Sequence, residues 1–288
     1  RKAVIPMSLH EILDTPFLTA VIARSLVVGL LTSLCAALLG VTLVLKRYSM
    51  IGDGLSHVGF FALALSTAAG VSAAWSMEAS IPIVVLAAVL ILRLSRSRHI
   101  EGDAACAIVS TGAVAVGTIM NNVMGVKSAD VCSSLFGSAS IVTLSGKDMA
   151  LSVALTIAVL VWYFCFARRI FAVTFDESFA RAAGCKTGTM QLVLAIFTGL
   201  TIVVGMKMMG AIMISALILF PPMAAMQICG SFRRTVATAA AIAMASFLIG
   251  FTLACALSLQ TGATVVTVQL AVFLACAAIG VYRRRRRA

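Results

Sequence analysis

Apolar residues run in blocks of about 15 to 25, from residue 21 to residue 282, separated by short polar stretches. Each block is about as long as a helix needs to cross a ~30 Å hydrocarbon layer. Lipid offers no partner to exposed backbone groups, so such runs form helices, and the period-2 alternation of a membrane barrel is absent. Blocks fall at residues 21–45, 55–71, 79–94, 104–120, 149–166, 190–204, 208–228, 236–257 and 263–282. The expected fold class is all-α, a polytopic integral membrane helical bundle of nine transmembrane helices. The number falls to eight if one of the short blocks, 79–94 with its Pro82 or 190–204, is re-entrant.

Composition agrees: 61% of the residues are hydrophobic and 11% are charged, against about 25% charged in a soluble domain. A net charge of +12 would make nucleic acid a partner to consider in a soluble protein. Here the basic residues cluster between the apolar blocks, at Lys46-Arg47, Arg93/Arg96/Arg98, Arg168-Arg169, Arg233-Arg234 and Arg283 to Arg287. Placing Lys46-Arg47 inside and alternating puts every cluster in the cytoplasm, as the positive-inside rule requires. Membrane lipid explains the charge, and no nucleic acid is expected. The amino terminus is then outside and the carboxyl terminus inside. Residues 1–10 lack the layout of a signal peptide, so the first membrane helix is expected to direct insertion. The eight cysteines are spaced 20 residues or more apart with no C-x-x-C, and read as small hydrophobes in a bundle.

Two polar segments carry candidate chemistry. In residues 49–57, Asp53 and His57 are one helical turn apart and share a face. A carboxylate oxygen with an imidazole nitrogen suits zinc or manganese, and two ligands leave the ion exchangeable. The pair reads equally as a helix-capping carboxylate and a packed imidazole. The other histidines, His10 and His99, read as solvated surface, and Glu101 and Asp103 as the acidic start of a helix. Inside the cell, residues 167–189 form the largest polar segment. Its centre, from Phe175 to Gly184, predicts a short amphipathic helix with Asp176 and Glu177 in the first turn, Phe175 and Phe179 on an apolar stripe and Gly184 as its stop. Such a helix is either a docking element or an interfacial one. Pro221-Pro222 predict a bent or broken helix within 208–228. Gly184-Cys185-Lys186-Thr187 lacks the glycine and the strand of a phosphate loop, and no catalytic constellation is present.

The run from Leu45 to His57, Leu-Lys-Arg-Tyr-Ser-Met-Ile-Gly-Asp-Gly-Leu-Ser-His, closely resembles the permeases of zinc and manganese ABC importers. Leu135-Phe136-Gly137-Ser138 resembles that family's Leu-Phe-Gly loop, Thr174 to Gly184 its cytoplasmic coupling segment, and Val204 to Pro221 its late helix. The resemblance implies one permease domain over residues 1–288. Membrane helices would fill 21–282, a cytoplasmic coupling segment 167–189 and a basic cytoplasmic tail 283–288. It implies a homodimer in the bacterial cytoplasmic membrane, bound to a cytoplasmic ABC ATPase subunit and fed by an extracytoplasmic metal-binding protein. Asp53 and His57 would contact the metal. Phe175, Asp176, Glu177, Phe179, Arg181 and Gly184 would seat in the ATPase. The chain would be a transport subunit rather than an enzyme, with no permanently bound cofactor. Val58-Gly59-Phe60-Phe61 stands where manganese-type members often carry Pro-Gly, and Met206-Lys207 with Ile218 to Pro221 look like the zinc branch. Zinc is therefore the expected cargo, with manganese or iron by the same mechanism as alternatives. A self-sufficient secondary metal transporter or channel is the competing class, and an intramembrane enzyme the third.

Overall fold

The computed structural model describes residues 16–71, 75–95, 102–124, 146–257 and 259–286. Among them the chain is all helix, in the order α1 (Pro16–Leu45), α2 (Ile51–Ala68), α3 (Ser76–Leu94), α4 (Gly102–Val123), α5 (Gly146–Cys165), α6 (Ala167–Phe175), α7 (Glu177–Ala182), α8 (Thr187–Met209), α9 (Ala211–Ile228), α10 (Phe232–Leu257) and α11 (Thr261–Arg285). Nine of these correspond one to one to the apolar blocks. His10, His99, Glu101 and Leu135-Phe136-Gly137-Ser138 lie outside the described residues.

The chain is a multi-pass membrane protein. Six described helices, α1, α4, α8, α9, α10 and α11, are long and apolar enough to cross a membrane, and α5 with α6 makes a seventh if that pair, bent by 74°, is one span. The apolar parts of α2 and α3, Ile51–Ser66 and Ala79–Leu94, are shorter. Block 190–204 is no short element: its helix, α8, extends to 23 residues.

At the centre stand α1 and α9. The first packs on α5, α8, α9 and α10; the second also on α2, α8, α10 and α11. Burial of Met213, Ile214, Leu217, Ile218 and Pro221 gives α9 one broad face sunk in the core, while Ile212, Ser215, Leu219 and Met223 on its other side are exposed or part-exposed. Close approach depends on missing side chains. A Cβ on Gly40 of α1 would collide with the Ile218 carbonyl, and one on Gly250 of α10 would lie 2.6 Å from Val265 Cα.

The break expected at Pro221-Pro222 is displaced. Both prolines lie inside α9, which continues to Ile228, and the interruption falls at Gly210, with φ 87° and ψ 158°. That conformation is open essentially to glycine alone. It folds α9 back on α8, so that Ile214 packs where a Gly205 side chain would stand. Each proline removes one backbone donor but takes a helical φ, and the neighbours packed on the buried face of α9 hold the rest of the helix.

The basic clusters gather at one end. Lys46 at the close of α1 reaches Glu177 of α7. The Tyr48 hydroxyl pairs with Ser95 Oγ at 2.6 Å beside Arg93. Arg168 and Arg233 line one cavity, and Gly280, just before the arginine run, abuts Gln227 at the end of α9. This is the end the positive-inside rule assigns to the cytoplasm.

Candidate functional site

Beyond Leu45 the chain turns back into the bundle. Arg47 takes the left-handed conformation, φ 61°, and the Tyr48 N–H donates to the Leu43 carbonyl at 3.0 Å. Asp103, in the first turn of α4, accepts the Met50 N–H at 3.1 Å and so ties down the entry to α2. Gly52 and Gly40 both pack on Ile218. The start of α2 therefore lies level with Gly40, about 7 Å inside the end of α1 at 1.5 Å per residue.

Asp53 sits between two glycines because α2 is wedged there. A Cβ on Gly52 would lie 3.3 Å from Ser215 Cα of α9, and one on Gly54 would lie 3.2 Å from the Cys106 carbonyl oxygen of α4. These two residues point about 200° apart on a helix, so backbones close in on both sides and Asp53 emerges between them. One turn on, His57 places Nε2 3.5 Å from Asp53 Oδ1, with 27% of the imidazole and 48% of the carboxylate side chain exposed. The other ring nitrogen, Nδ1, is buried with no partner among the described residues. Met50, Asp53, His57, Phe61 and Leu65 make a stripe left partly or largely uncovered, while Ile51, Leu55 and Val58 enter the core. At 3.5 Å the pair is too wide for a good hydrogen bond. It is close to the ~3.3 Å edge expected between two ligand atoms on a tetrahedral ion with bonds near 2.0–2.1 Å. Among the described residues no third His, Cys, Asp or Glu joins them in a metal-sized group.

The segment from Phe175 to Gly184 is two elements rather than one helix. Phe175 ends α6, and Asp176, extended at φ −146° and ψ 96°, is the N-cap of α7. Its carboxylate accepts the Phe179 N–H at 2.9 Å and the Ser178 hydroxyl at 2.7 Å. Those bonds, the backbone one foremost, hold its carboxyl below the usual carboxylate range. Gly184, at φ 82°, closes α7. The Cys185 N–H reaches back to the Ala180 carbonyl at 2.9 Å and the Gly184 N–H to Arg181 at 3.1 Å, the paired bonds of a Schellman stop. Phe179 is 67% exposed and Phe175 is exposed beside it. Glu177 turns inward instead. It accepts from Arg181 Nη2 at 3.1 Å and from Gln191 of α8, and stands 3.9 Å from Lys46 Nζ, whose side chain is only 8% exposed.

Residues 19–280 match the description of the ABC 3 transport family, ABC-3. The chain belongs to that family. A Haemophilus influenzae relative named "Probable iron transport system membrane protein" is 29% identical, with 91% of this chain and 94% of that protein covered. The manganese import system permease protein ScaB of Streptococcus gordonii is 25% identical, over 91% and 90%. Among solved structures, PsaBC from Streptococcus pneumoniae in complex with Fab shares the fold, at TM-score 0.76 and 23% identity, with 93% of each chain covered.

In this ABC 3 family chain the sequence located Asp53, His57 and the capped segment, but it missed what holds them. Lys46 read only as a topology signal. Its position at the end of an apolar block, facing an acidic segment 130 residues later, offered no local clue to the pair with Glu177. Asp103 read as a helix start; it occupies one, and it also bonds the start of α2.

Proposed function

We propose that this chain is the permease subunit of an ATP-driven importer of divalent transition-metal ions, with Asp53 and His57 contacting the cargo in transit and zinc as that cargo. The observation that carries the reading is one oxygen and one nitrogen 3.5 Å apart on a partly uncovered stripe, held by backbone contacts on both sides. Two ligands bind an ion without locking it in, and the open side of the pair is free to face a second copy of the chain. The ATPase is a separate cytoplasmic subunit that seats on the exposed edge of α7, with Phe175, Phe179 and Arg181 outward and Asp176 and Gly184 shaping the ends. An external metal-binding protein delivers the ion. Glu177 joins this edge to Lys46, and five residues after Lys46 the chain enters α2, so a push on α7 has a short path to the metal pair.

The near-tetrahedral separation and the imidazole ligand favour zinc. The names of the relatives favour manganese or iron by the same mechanism. The test is metal uptake into proteoliposomes by the chain reconstituted with its ATPase and binding protein, with zinc, manganese and iron in competition. Asp53→Ala and His57→Ala are expected to reduce uptake to background while the ATPase still copurifies. Wild-type uptake by both variants rejects the metal pair. Uptake by the chain alone, driven by an ion gradient, rejects the ATP-driven class in favour of a secondary transporter.

A further inference from the structure

The cytoplasmic end holds a second polar site, remote in sequence from the metal pair and adjoining the α7 edge, whose Phe175 touches its aromatic lining. Ala167, Arg168 and Phe171 of α6 face Ser231, Phe232 and Arg233 at the start of α10 across a cavity of about 420 Å³. Every charge there is positive. Arg168, Arg169, Arg233 and Arg234 form no ion pair with a carboxylate among the described residues. The first turn of α10, a helix of 26 residues, carries no acidic group. Free N–H groups and the positive end of the dipole mildly disfavour cations there, and Arg168, Arg233 and Arg234 are all exposed, so the helix end and the guanidinium groups together offer an open patch that favours an anion.

The surroundings point to the kind of anion. Phe171 meets Phe232 edge-on with ring centroids 5.4 Å apart and Phe175 at a tilt at 4.8 Å, yet remains 47% exposed. Above it, α5 presents Ile157, Val161 and Phe164, all exposed, on one side of the helix. The column ends at Phe164 near the foot of α5, four residues before Arg168 on the far side of the bend. Between them α6 turns 74° from α5, as a helix does when it leaves the hydrocarbon and lies along the interface. An apolar track ending in guanidinium groups at the cytoplasmic boundary matches a phospholipid, with acyl chain above and phosphate below.

We propose that the cavity between α6 and the start of α10 binds the phosphate headgroup of an anionic phospholipid. Arg168 and Arg233 clasp the phosphate, the N-terminal amides of α10 help to hold it, and the α5 column receives an acyl chain.

The test uses the full chain, stripped of lipid in neutral detergent and offered phosphatidylglycerol, phosphatidylcholine or inorganic phosphate, with native mass spectrometry and thermal unfolding as readouts. Phosphatidylglycerol is expected to be retained and to raise the unfolding temperature, the other two not. Arg168→Gln with Arg233→Gln is expected to weaken retention at least tenfold, Arg168→Lys with Arg233→Lys less so, and Arg283→Gln with Arg286→Gln to leave it unchanged. Equal retention by the double glutamine variant overturns the site. Stabilisation by inorganic phosphate equal to that by the lipid overturns the lipid assignment. Loss of ATPase copurification in the glutamine variant, with lipid retention intact, assigns the cavity to the ATPase instead.

Discussion

A carboxylate and an imidazole one turn apart are common, and what gives Asp53 and His57 a defined position is the pair of glycines around Asp53. Gly52 and Gly54 let α9 and α4 approach until a single added carbon would touch backbone atoms at 3.3 and 3.2 Å. The Cys106 carbonyl has no flexible tip to swing aside. Gly54→Val is therefore expected to destabilise the chain by about 1–3 kcal/mol, as overpacking does, and to lower metal uptake by shifting Asp53. Gly199→Ala meets only ordinary contacts at 3.6 Å and serves as the control, expected within about 0.5 kcal/mol of wild type. Thermal unfolding in detergent with uptake in proteoliposomes checks both, and equal stability of the two variants refutes the wedge. The sequence displayed the Gly-Asp-Gly run, but not that both glycines are approached by other helices, since that depends on residues 50 to 160 positions away.

For single elements, periodicity located the helices well and their breaks less well. The Pro221-Pro222 pair is a strong local breaker, yet both prolines sit on the buried face of α9, whose packing holds the helix together; Gly210 interrupts the chain because its φ and ψ suit no other residue. In the coupling segment the acidic pair marked a helix start correctly, but only the structure separates their tasks, Asp176 as cap and Glu177 as an inward partner. The cap has a pH signature. Asp176 has a depressed pKa in the folded chain, so its contribution is fully present above the ordinary carboxylate value and is lost as pH falls through the lower folded value. Hydrogen exchange across 175–184, corrected for intrinsic rates, is expected to stay slow at neutral pH and to quicken only below about pH 4. Asp176→Asn keeps a cap without the charge and is expected to flatten that dependence. An unchanged acid response in this variant would assign it to another group.

Across the whole molecule, the basic clusters that fixed the topology also show where cytoplasmic pieces meet. Lys46, read from sequence as an orientation signal, is nearly enclosed and faces Glu177. The same carboxylate is held by Arg181 within α7 and Gln191 on α8. Three elements thus converge on one acidic group, and one of them leads through the turn at Arg47 into the helix bearing Asp53. If this junction transmits force in the proposed transporter, removing its charge should separate binding from transport. Glu177→Gln retains the shape and the Gln191 contact region but removes the negative charge that faces the enclosed Lys46. It is expected to keep the ATPase bound while metal-stimulated ATP hydrolysis and uptake both fall several-fold. The exchange Lys46→Glu with Glu177→Lys is expected to recover part of both, because the pair is restored in reverse; recovery stays partial because Arg181 and Gln191 then face a cation rather than a carboxylate. Exposed ion pairs are worth little and are screened by salt, so a merely superficial contact predicts wild-type coupling in Glu177→Gln. A purely structural role predicts loss of ATPase binding and of thermal stability together. Only a fall in uptake with the complex intact, partly reversed by the exchange, fits a junction that carries motion from α7 to α2.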